Sequence, residues 1–154
     1  MSRIVVRNAL FFGRARASRL VIPWATYTDP EVAHVGVTHD RATASDGRID
    51  AITVDMDRVD RAVIDEETDG FITVYHERGR VRGVTIVAAH AAEMISAPAL
   101  ALAHGVTMGE LSGAIFPYPT CSEALRKAGD EYRRRALTPR ARRWLSRYFE
   151  WTRR

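Results

Sequence analysis

The stretch Phe116–Glu123, with the sequence FPYPTCSE, restricts the backbone of this chain more than any other segment. Pro117 and Pro119 flank Tyr118, and each proline ring holds its own φ angle at about −65°. Each proline also disfavours helical geometry in the residue that precedes it. The sequence therefore predicts a stiff turn that presents Tyr118 in a defined direction.

The residues after this turn predict the start of a helix. Thr120 or Ser122 offers a side-chain oxygen suited to an N-cap, and Glu123, three residues after Thr120, completes the pattern of a capping box. Backbone N–H groups at a helix start favour anionic partners. Two interpretations stay open from these residues alone: a binding or interface corner, and an ordinary helix start with a buried tyrosine.

The composition is that of one soluble globular domain. The chain has 154 residues, of which 46% are hydrophobic and 27% are charged, and a domain of this size buries about two-thirds of its unfolded surface. No apolar run approaches the roughly 20 residues that span a bilayer, and the N-terminus lacks a signal-peptide pattern. Cys121 is the only cysteine, which excludes an intramolecular disulfide and predicts a cytoplasmic protein.

The net charge of +4 is unevenly distributed. Residues 1–125 hold 12 basic and 16 acidic side chains, whereas residues 126–154 hold 11 basic and 3 acidic ones. Such a tail is able to contact nucleic acid or a membrane surface, or to pack on an acidic protein surface. We favour the protein surface, because the aromatic residues of the tail follow helical spacing and the chain contains no nucleic-acid-binding module. We therefore expect neither nucleic acid nor a membrane as partner.

Hydrophobic periodicity predicts an α+β fold. Strands are indicated where β-branched and aromatic residues concentrate, over residues 20–28, 49–58, 71–76 and 81–88. Helical spacing follows over residues 91–104, 122–133 and the tail. These elements predict an antiparallel sheet of four or five strands with helices on one face, and Val81–Ala88 has the apolar composition of a central strand covered on both faces.

Three further positions carry local predictions. Pro98 falls inside the first helical pattern and predicts a kink or a split. Gly36 predicts a backbone kink or a close approach. The segment 59–65 is expected to continue the preceding strand or to form an irregular connection.

The possible metal ligands and nucleophiles are few. His90 and Glu93 stand three residues apart, so a helix would place them on one face, but no second such pair exists and we predict no metal site. Cys121 follows a predicted helix start, which is able to lower a thiol pKa. The alternative, which we favour, is that Cys121 is a small buried apolar group.

Three segments resemble the FAD-dependent pyridine nucleotide–disulfide oxidoreductases. Tyr118–Glu123 is similar to the His-Pro-Thr-x-x-Glu signature near the C-terminus of these enzymes, with tyrosine at the histidine position as in the mercuric reductase-like group. Residues 27–36 resemble the Thr-x-Pro-x-x-Ala-x-Val-Gly segment that opens their dimerisation domain. Residues 83–95 resemble a third segment, and all three occur in the order found in the family.

The resemblance implies a role in subunit association. The signature would reach across a homodimer, so that Pro117, Tyr118, Pro119 and Thr120 contact the flavin of the partner subunit. Tyr118 and Glu123 would then be the catalytic pair, although a phenol is a poor base at neutral pH. The resemblance also implies a cis peptide bond between Tyr118 and Pro119. The predicted interface residues are Met94, Ile95, Leu102, Tyr118 and Leu125.

The sequence contains neither a Gly-x-Gly-x-x-Gly fingerprint nor a Cys-x4-Cys redox pair. We therefore expect the isolated chain to be colourless and inactive, and FAD and NAD(P) to belong to a full-length parent enzyme, or to separate FAD and NAD domains of it. Residues 1–20 would be a remnant of the preceding flavin domain, residues 21–136 the dimerisation domain and residues 137–154 a basic amphipathic helix.

Two other functions compete with subunit association. The first is an arginine-rich binding module that uses residues 126–154 on an anionic partner. The second is an autonomous thiol enzyme that uses Cys121, which the lack of a resolving cysteine disfavours.

Overall fold

Five strands form one sheet in which every neighbouring pair is antiparallel, in the order β1-β2-β5-β4-β3. The structure, a computed structural model, describes residues 2–14, 16–137 and 139–152. The strands are β1 (Trp24–Thr26), β2 (Glu31–Gly36), β3 (Asp50–Asp55), β4 (Phe71–Glu77) and β5 (Arg80–Ala88). The predicted α+β fold is confirmed, with β2 as a strand that the hydrophobic pattern did not single out.

The helices follow and interrupt these strands. They are α1 (Ser2–Leu10), α2 (His39–Thr43), α3 (Asp60–Ile64), α4 (Ala91–Met94), α5 (Ser96–His104), α6 (Met108–Gly113), α7 (Glu123–Ala136) and α8 (Pro139–Thr152). Short 3-10 turns cover Ala17–Arg19 and Met56–Arg58. Of the predicted tail, Thr138, Arg153 and Arg154 lie outside the described residues, as do Met1 and Ala15 of the predicted N-terminal remnant. None of the described helices is long and apolar enough to cross a membrane.

The core lies between the helices and one face of the sheet. Alternate strand residues point toward it, and they are buried: Ala33, Val35, Ile52, Val54, Ile72, Val74, Val84 and Ile86. The other face carries residues that border an open surface, among them Thr53, Phe71 and Thr85. β5 is therefore central, as predicted, but the expectation that both of its faces are covered is wrong.

The segment 59–65 is the clearest difference from the sequence-based expectation, since it contains the helix α3 instead of a strand extension. Val59 and Ala62 are fully buried and stand three residues apart, which is the spacing of one helical face. Packing of that face on the core therefore decides a conformation that the short apolar pattern left open.

Proline and glycine act where they were predicted to act. The helical pattern over 91–104 is split into α4 and α5, and Pro98 is the third residue of α5, where a missing N–H costs no intrahelical bond. Gly36 has a φ of +87°, and a Cβ there would lie 2.3 Å from the carbonyl oxygen of Arg82 and 2.4 Å from Leu102 Cδ2. The close approach at Gly36 is thus confirmed.

Candidate functional site

The loop between α6 and α7 projects from the protein surface. Ile115 is 98% exposed and Tyr118 is 69% exposed, although both are large apolar or aromatic side chains. The Tyr118–Pro119 peptide bond is cis, as predicted. The hydroxyl of Thr120 donates a hydrogen bond to the carbonyl oxygen of Pro117 at 2.8 Å. Two prolines and this local bond restrict the loop, and we refer to residues 114–122 as the corner.

The predicted capping box at the start of α7 is wrong. Ser122 occupies the N-cap position without a side-chain cap, and the hydroxyl of Thr120 donates to the carbonyl oxygen of Pro117 instead of capping the helix. The carboxylate of Glu123 instead forms an ion pair with Arg126. The chain's capping box lies one helix earlier, where Thr107 Oγ1 accepts from the N–H of Glu110 at 3.2 Å and Glu110 Oε2 accepts from the N–H of Thr107 at 2.7 Å.

Tyr118 is tied to a residue that the sequence analysis did not find. Its hydroxyl donates to Asp60 Oδ2 at 2.8 Å, which joins the corner to the first residue of α3 across 58 positions of the chain. Lys127 of α7 approaches the same carboxylate, with Nζ 3.5 Å from Asp60 Oδ1, and donates to the carbonyl oxygen of Arg58 at 2.7 Å. No sequence spacing signals this arrangement, since three separate segments meet there.

The electrostatics of this contact oppose ionisation of the phenol. The hydrogen bond to Asp60 and the negative charge of Asp60 raise the pKa of Tyr118 above its ordinary value. The same hydrogen bond, together with the charge of Lys127, lowers the pKa of Asp60. At neutral pH the pair is therefore a neutral tyrosine and a charged aspartate, and Tyr118 is unsuited to act as a general base.

Glu123 is buried and belongs to a different network from Tyr118. Arg126 pairs with Glu123 and also with Asp130, at 2.7 Å, and the hydroxyl of Ser112 donates to Asp130 at 2.5 Å. The second carboxylate oxygen of Glu123 is buried without a hydrogen-bond partner among the described residues. Tyr118 and Glu123, predicted as a pair, are thus held by separate partners, Asp60 and Arg126.

Cys121, within the corner, is half-buried against the core. Burial raises the pKa of its thiol, and the nearby carboxylates of Asp65 and Glu67 act in the same direction, with Arg61 opposing them. The pKa of Cys121 is thus raised by burial and nearby carboxylates, and is not lowered as a helix start would lower it. The thiolate that an autonomous thiol enzyme needs is therefore disfavoured.

Most of the predicted interface residues are occupied within the chain itself. Met94, Ile95 and Leu125 are buried in the hydrophobic core, and Leu102 packs against that core and lies over Gly36. Buried side chains have almost no surface left for a second copy, so Met94, Ile95 and Leu125 are unsuited to an interface, whereas Leu102 is only half-buried. Tyr118 alone among the five is exposed.

The exposed face of α5 carries small residues around one leucine. Ser96, Leu100 and Ala103 are exposed and follow the i, i+4, i+7 spacing of one helical face, with Leu100 63% exposed. A shallow groove runs beside them, lined on its other side by Leu20 and Val21. Small side chains around one leucine allow the close approach of another surface.

The described residues contain no group of three or more His, Cys, Asp or Glu side chains arranged to hold a metal ion. His90 takes a left-handed conformation, with φ 63°, at the N-cap of α4, and Glu93 lies in the first turn of that helix.

The comparisons with known proteins concern the part of the chain that holds the sheet and the corner. A family described as pyridine nucleotide-disulphide oxidoreductase, dimerisation domain, matches residues 22–129. A mercuric reductase from Shewanella putrefaciens is 39% identical over 116 residues, which cover 74% of this chain and 21% of that protein. A dihydrolipoyl dehydrogenase from Mycoplasma pneumoniae is 32% identical over 111 residues, covering 71% of this chain and 24% of that enzyme.

The fold has a counterpart among solved structures. LpdA from Mycobacterium tuberculosis superposes with a TM-score of 0.78 at 28% sequence identity, over 84% of this chain and 29% of that one. The chain thus spans about a quarter or less of the length of the curated relatives it matches. The comparisons offer no support for the arginine-rich binding module. By its match over residues 22–129, this chain belongs to the pyridine nucleotide-disulphide oxidoreductase family and is a dimerisation domain of that family.

Proposed function

We propose that the chain pairs with a second copy of itself and that the corner of each copy completes a flavin site on the partner. The observation that carries this proposal is the 69% exposure of Tyr118 at the tip of a turn that Pro117 and Pro119 restrict. An exposed aromatic ring held in one direction loses little entropy on binding.

The shape of the corner supports a contributing role over a self-contained one. Ile115 and Tyr118 project outward instead of lining a cavity, so they are suited to form one wall of a site whose remainder belongs to another chain or domain. In a full-length parent, Pro117, Tyr118, Pro119 and Thr120 would lie against the flavin of the partner, and FAD and NAD(P) would supply the electron transfer. Tyr118, as a neutral phenol, would position a group there, and Glu123 would act through Arg126.

The predicted domain boundaries fit this role. Residues 21–136 would form the dimerisation domain, residues 1–20 would continue from a flavin domain, and residues 137–154 would be an added basic helix. We include the reaction and the substrate of the parent in the same proposal. The parent would be a reductase similar to the mercuric reductases.

The exposed face of α5 is the surface that we assign to the dimer. Leu100 supplies an apolar centre, and Ser96 and Ala103 leave room for a facing helix. A two-fold interface uses the same patch on both chains, so a self-complementary face of small residues around one leucine satisfies that symmetry. We expect a buried area above the ~1,000 Å² of a biological contact.

Light scattering after size exclusion, over a hundredfold dilution, tests the pairing. We expect twice the 17.3 kDa chain mass for the unmodified chain and one chain mass for Leu100→Asp. Leu10→Asp, a substitution at a similarly exposed leucine of α1 outside residues 22–129, is the matched control and is expected to remain a dimer. A single-chain mass at every concentration would refute the proposal.

A domain exchange tests the corner. Residues 22–129 would replace the matching segment of the Shewanella putrefaciens mercuric reductase, and turnover would be compared with and without Tyr118→Ala. We expect at least a tenfold loss of kcat with unchanged flavin content and dimer mass. Equal turnover of the two chimeras would remove the corner from the active site.

A further inference from the structure

We propose that Asp60 sets the hydrogen-bonding direction of Tyr118, so that the corner presents the phenol oxygen to its partner as an acceptor. This inference rests on the proposed function, which supplies the partner that the corner meets. The structural observation behind it is the contact between α3 and the corner. Asp60 is a positioning residue in this proposal, since it acts through Tyr118.

The geometry assigns the single hydroxyl proton of Tyr118. A tyrosine hydroxyl has one donor and two acceptor lone pairs, and an ionised carboxylate only accepts. The 2.8 Å separation between the hydroxyl and Asp60 Oδ2 therefore places the proton between them, donated by Tyr118. The lone pairs of the phenol oxygen then remain, on a side chain that is 69% exposed.

Charged groups from two helices, α3 and α7, act on this contact. Asp60 belongs to α3, Lys127 approaches its other oxygen from α7, and Glu123 at the start of α7 adds a negative charge. The positive charge of Arg126, which is paired with Glu123 and Asp130, also interacts with Asp60. Lys127 also donates to the carbonyl oxygen of Arg58, and it approaches the carboxylate oxygen of Asp60 that Tyr118 does not use.

This arrangement determines which chemical groups the corner is able to recognise. An acceptor oxygen polarised by a neighbouring carboxylate binds hydrogen-bond donors and cations, and it repels carboxylates and phosphates. The group that meets Tyr118 in the partner site is therefore an N–H, O–H or S–H donor, or a positive charge. The preference of a helix start for anionic partners therefore does not apply at the phenol oxygen of Tyr118.

The test is a titration of Tyr118 in the isolated chain by ¹³C NMR of the tyrosine Cζ, with the signal assigned through Tyr118→Phe. We expect Tyr118 to titrate above the ordinary tyrosine pKa of about 10. Asp60→Asn keeps a side chain of the same shape but removes the charge, so the pKa of Tyr118 should fall. Lys127→Met removes the cation beside Asp60 and should not lower it. Asp57→Asn, a nearby exposed aspartate in the turn before α3, is the control and should have no effect.

A second measurement is made at pH 7, where the phenol is not ionised. It therefore does not require the variants to stay folded at the high pH of the titration. A nuclear Overhauser contact between the ring of Tyr118 and the β protons of Asp60 is expected in the parent and in Asp60→Asn, and should vanish in Asp60→Ala. An unchanged Tyr118 titration in folded Asp60→Asn, or no such contact in the parent, would overturn the inference. Because both readouts come from the isolated chain, they are independent of dimer formation, and a monomeric chain would refute only the proposed function.

Discussion

Gly129 of α7 lies directly against Ser112 of α6, so closely that a Cβ on Gly129 would be 2.5 Å from the backbone nitrogen of Ser112 and 2.7 Å from the carbonyl oxygen of Met108. The hydroxyl of Ser112 donates to Asp130, the next residue of α7, at 2.5 Å. Backbone contact and hydrogen bond together hold α6 onto α7. Since α7 follows the corner, this packing also sets the position of Tyr118.

Gly129→Ala is therefore expected to destabilise the chain. The added methyl group meets backbone atoms that have no room to move, which costs about 1–3 kcal/mol and exceeds the gain in helix propensity of about 1 kcal/mol. Gly109→Ala is the matched control, because its Cβ would meet only Thr107 Oγ1 at 3.9 Å, and it should be neutral or stabilising. Urea unfolding of both variants measures the difference, and equal free energies of unfolding would contradict the packing argument.

The capping box at the start of α6 predicts a second difference. Thr107→Ala removes the acceptor for the N–H of Glu110 and should lower the free energy of unfolding by about 1 kcal/mol. Thr38→Ala is the comparison, because Thr38 stands at the N-cap of α2 without a side-chain cap, and its replacement should change stability little. A loss at Thr38 as large as that at Thr107 would mean that the cap is not the cause.

His76 predicts a loss of stability in acid. It is only 5% exposed, neither ring nitrogen has a hydrogen-bond partner among the described residues, and burial lowers its pKa. The unfolded side chain takes up a proton near pH 6.5, at about its ordinary pKa, and the folded one binds it less tightly. Stability should therefore fall as the pH decreases through that value.

His76→Phe tests this effect and keeps an aromatic ring against Tyr132, whose ring centre is 5.0 Å away. We expect a smaller loss of stability between pH 8 and pH 5 than in the parent, and a gain of about 1 kcal/mol from removing an unpartnered buried polar group. Urea midpoints at the two pH values measure both. An identical pH dependence in parent and variant would exclude His76 as the titrating group.

Cys121 is expected to react slowly with alkylating agents. Burial and the carboxylates of Asp65 and Glu67 raise its pKa, so the thiolate fraction near pH 8 is below that of a free thiol. Iodoacetamide should modify Cys121 more slowly than N-acetylcysteine, and Asp65→Asn should raise the rate by removing a negative charge. Mass spectrometry over time measures the rates. Modification of the native chain faster than of N-acetylcysteine would contradict the raised pKa.

Local features of this protein follow from the sequence alone. The hairpin of β4 and β5, the division of the helix near Pro98 and the bend at Pro117 and Pro119 each depend on residues within a few positions of one another. Backbone conformation is governed mainly by such neighbours, because φ restriction by proline, the freedom of glycine and alternating burial act over short distances. For the same reason three short segments were sufficient to indicate the family.

The tertiary structure alone decided which partner each functional side chain has. Thr120 and Thr107 both precede a glutamate by three residues, but only Thr107 forms a capping box, since Thr120 is bound to Pro117. Tyr118 pairs with Asp60, 58 positions away, and Met94 and Leu125, which we expected at an interface, are buried in the core. Competition for hydrogen-bond partners and for burial depends on which distant segments meet, and residue spacing along the chain does not contain that information.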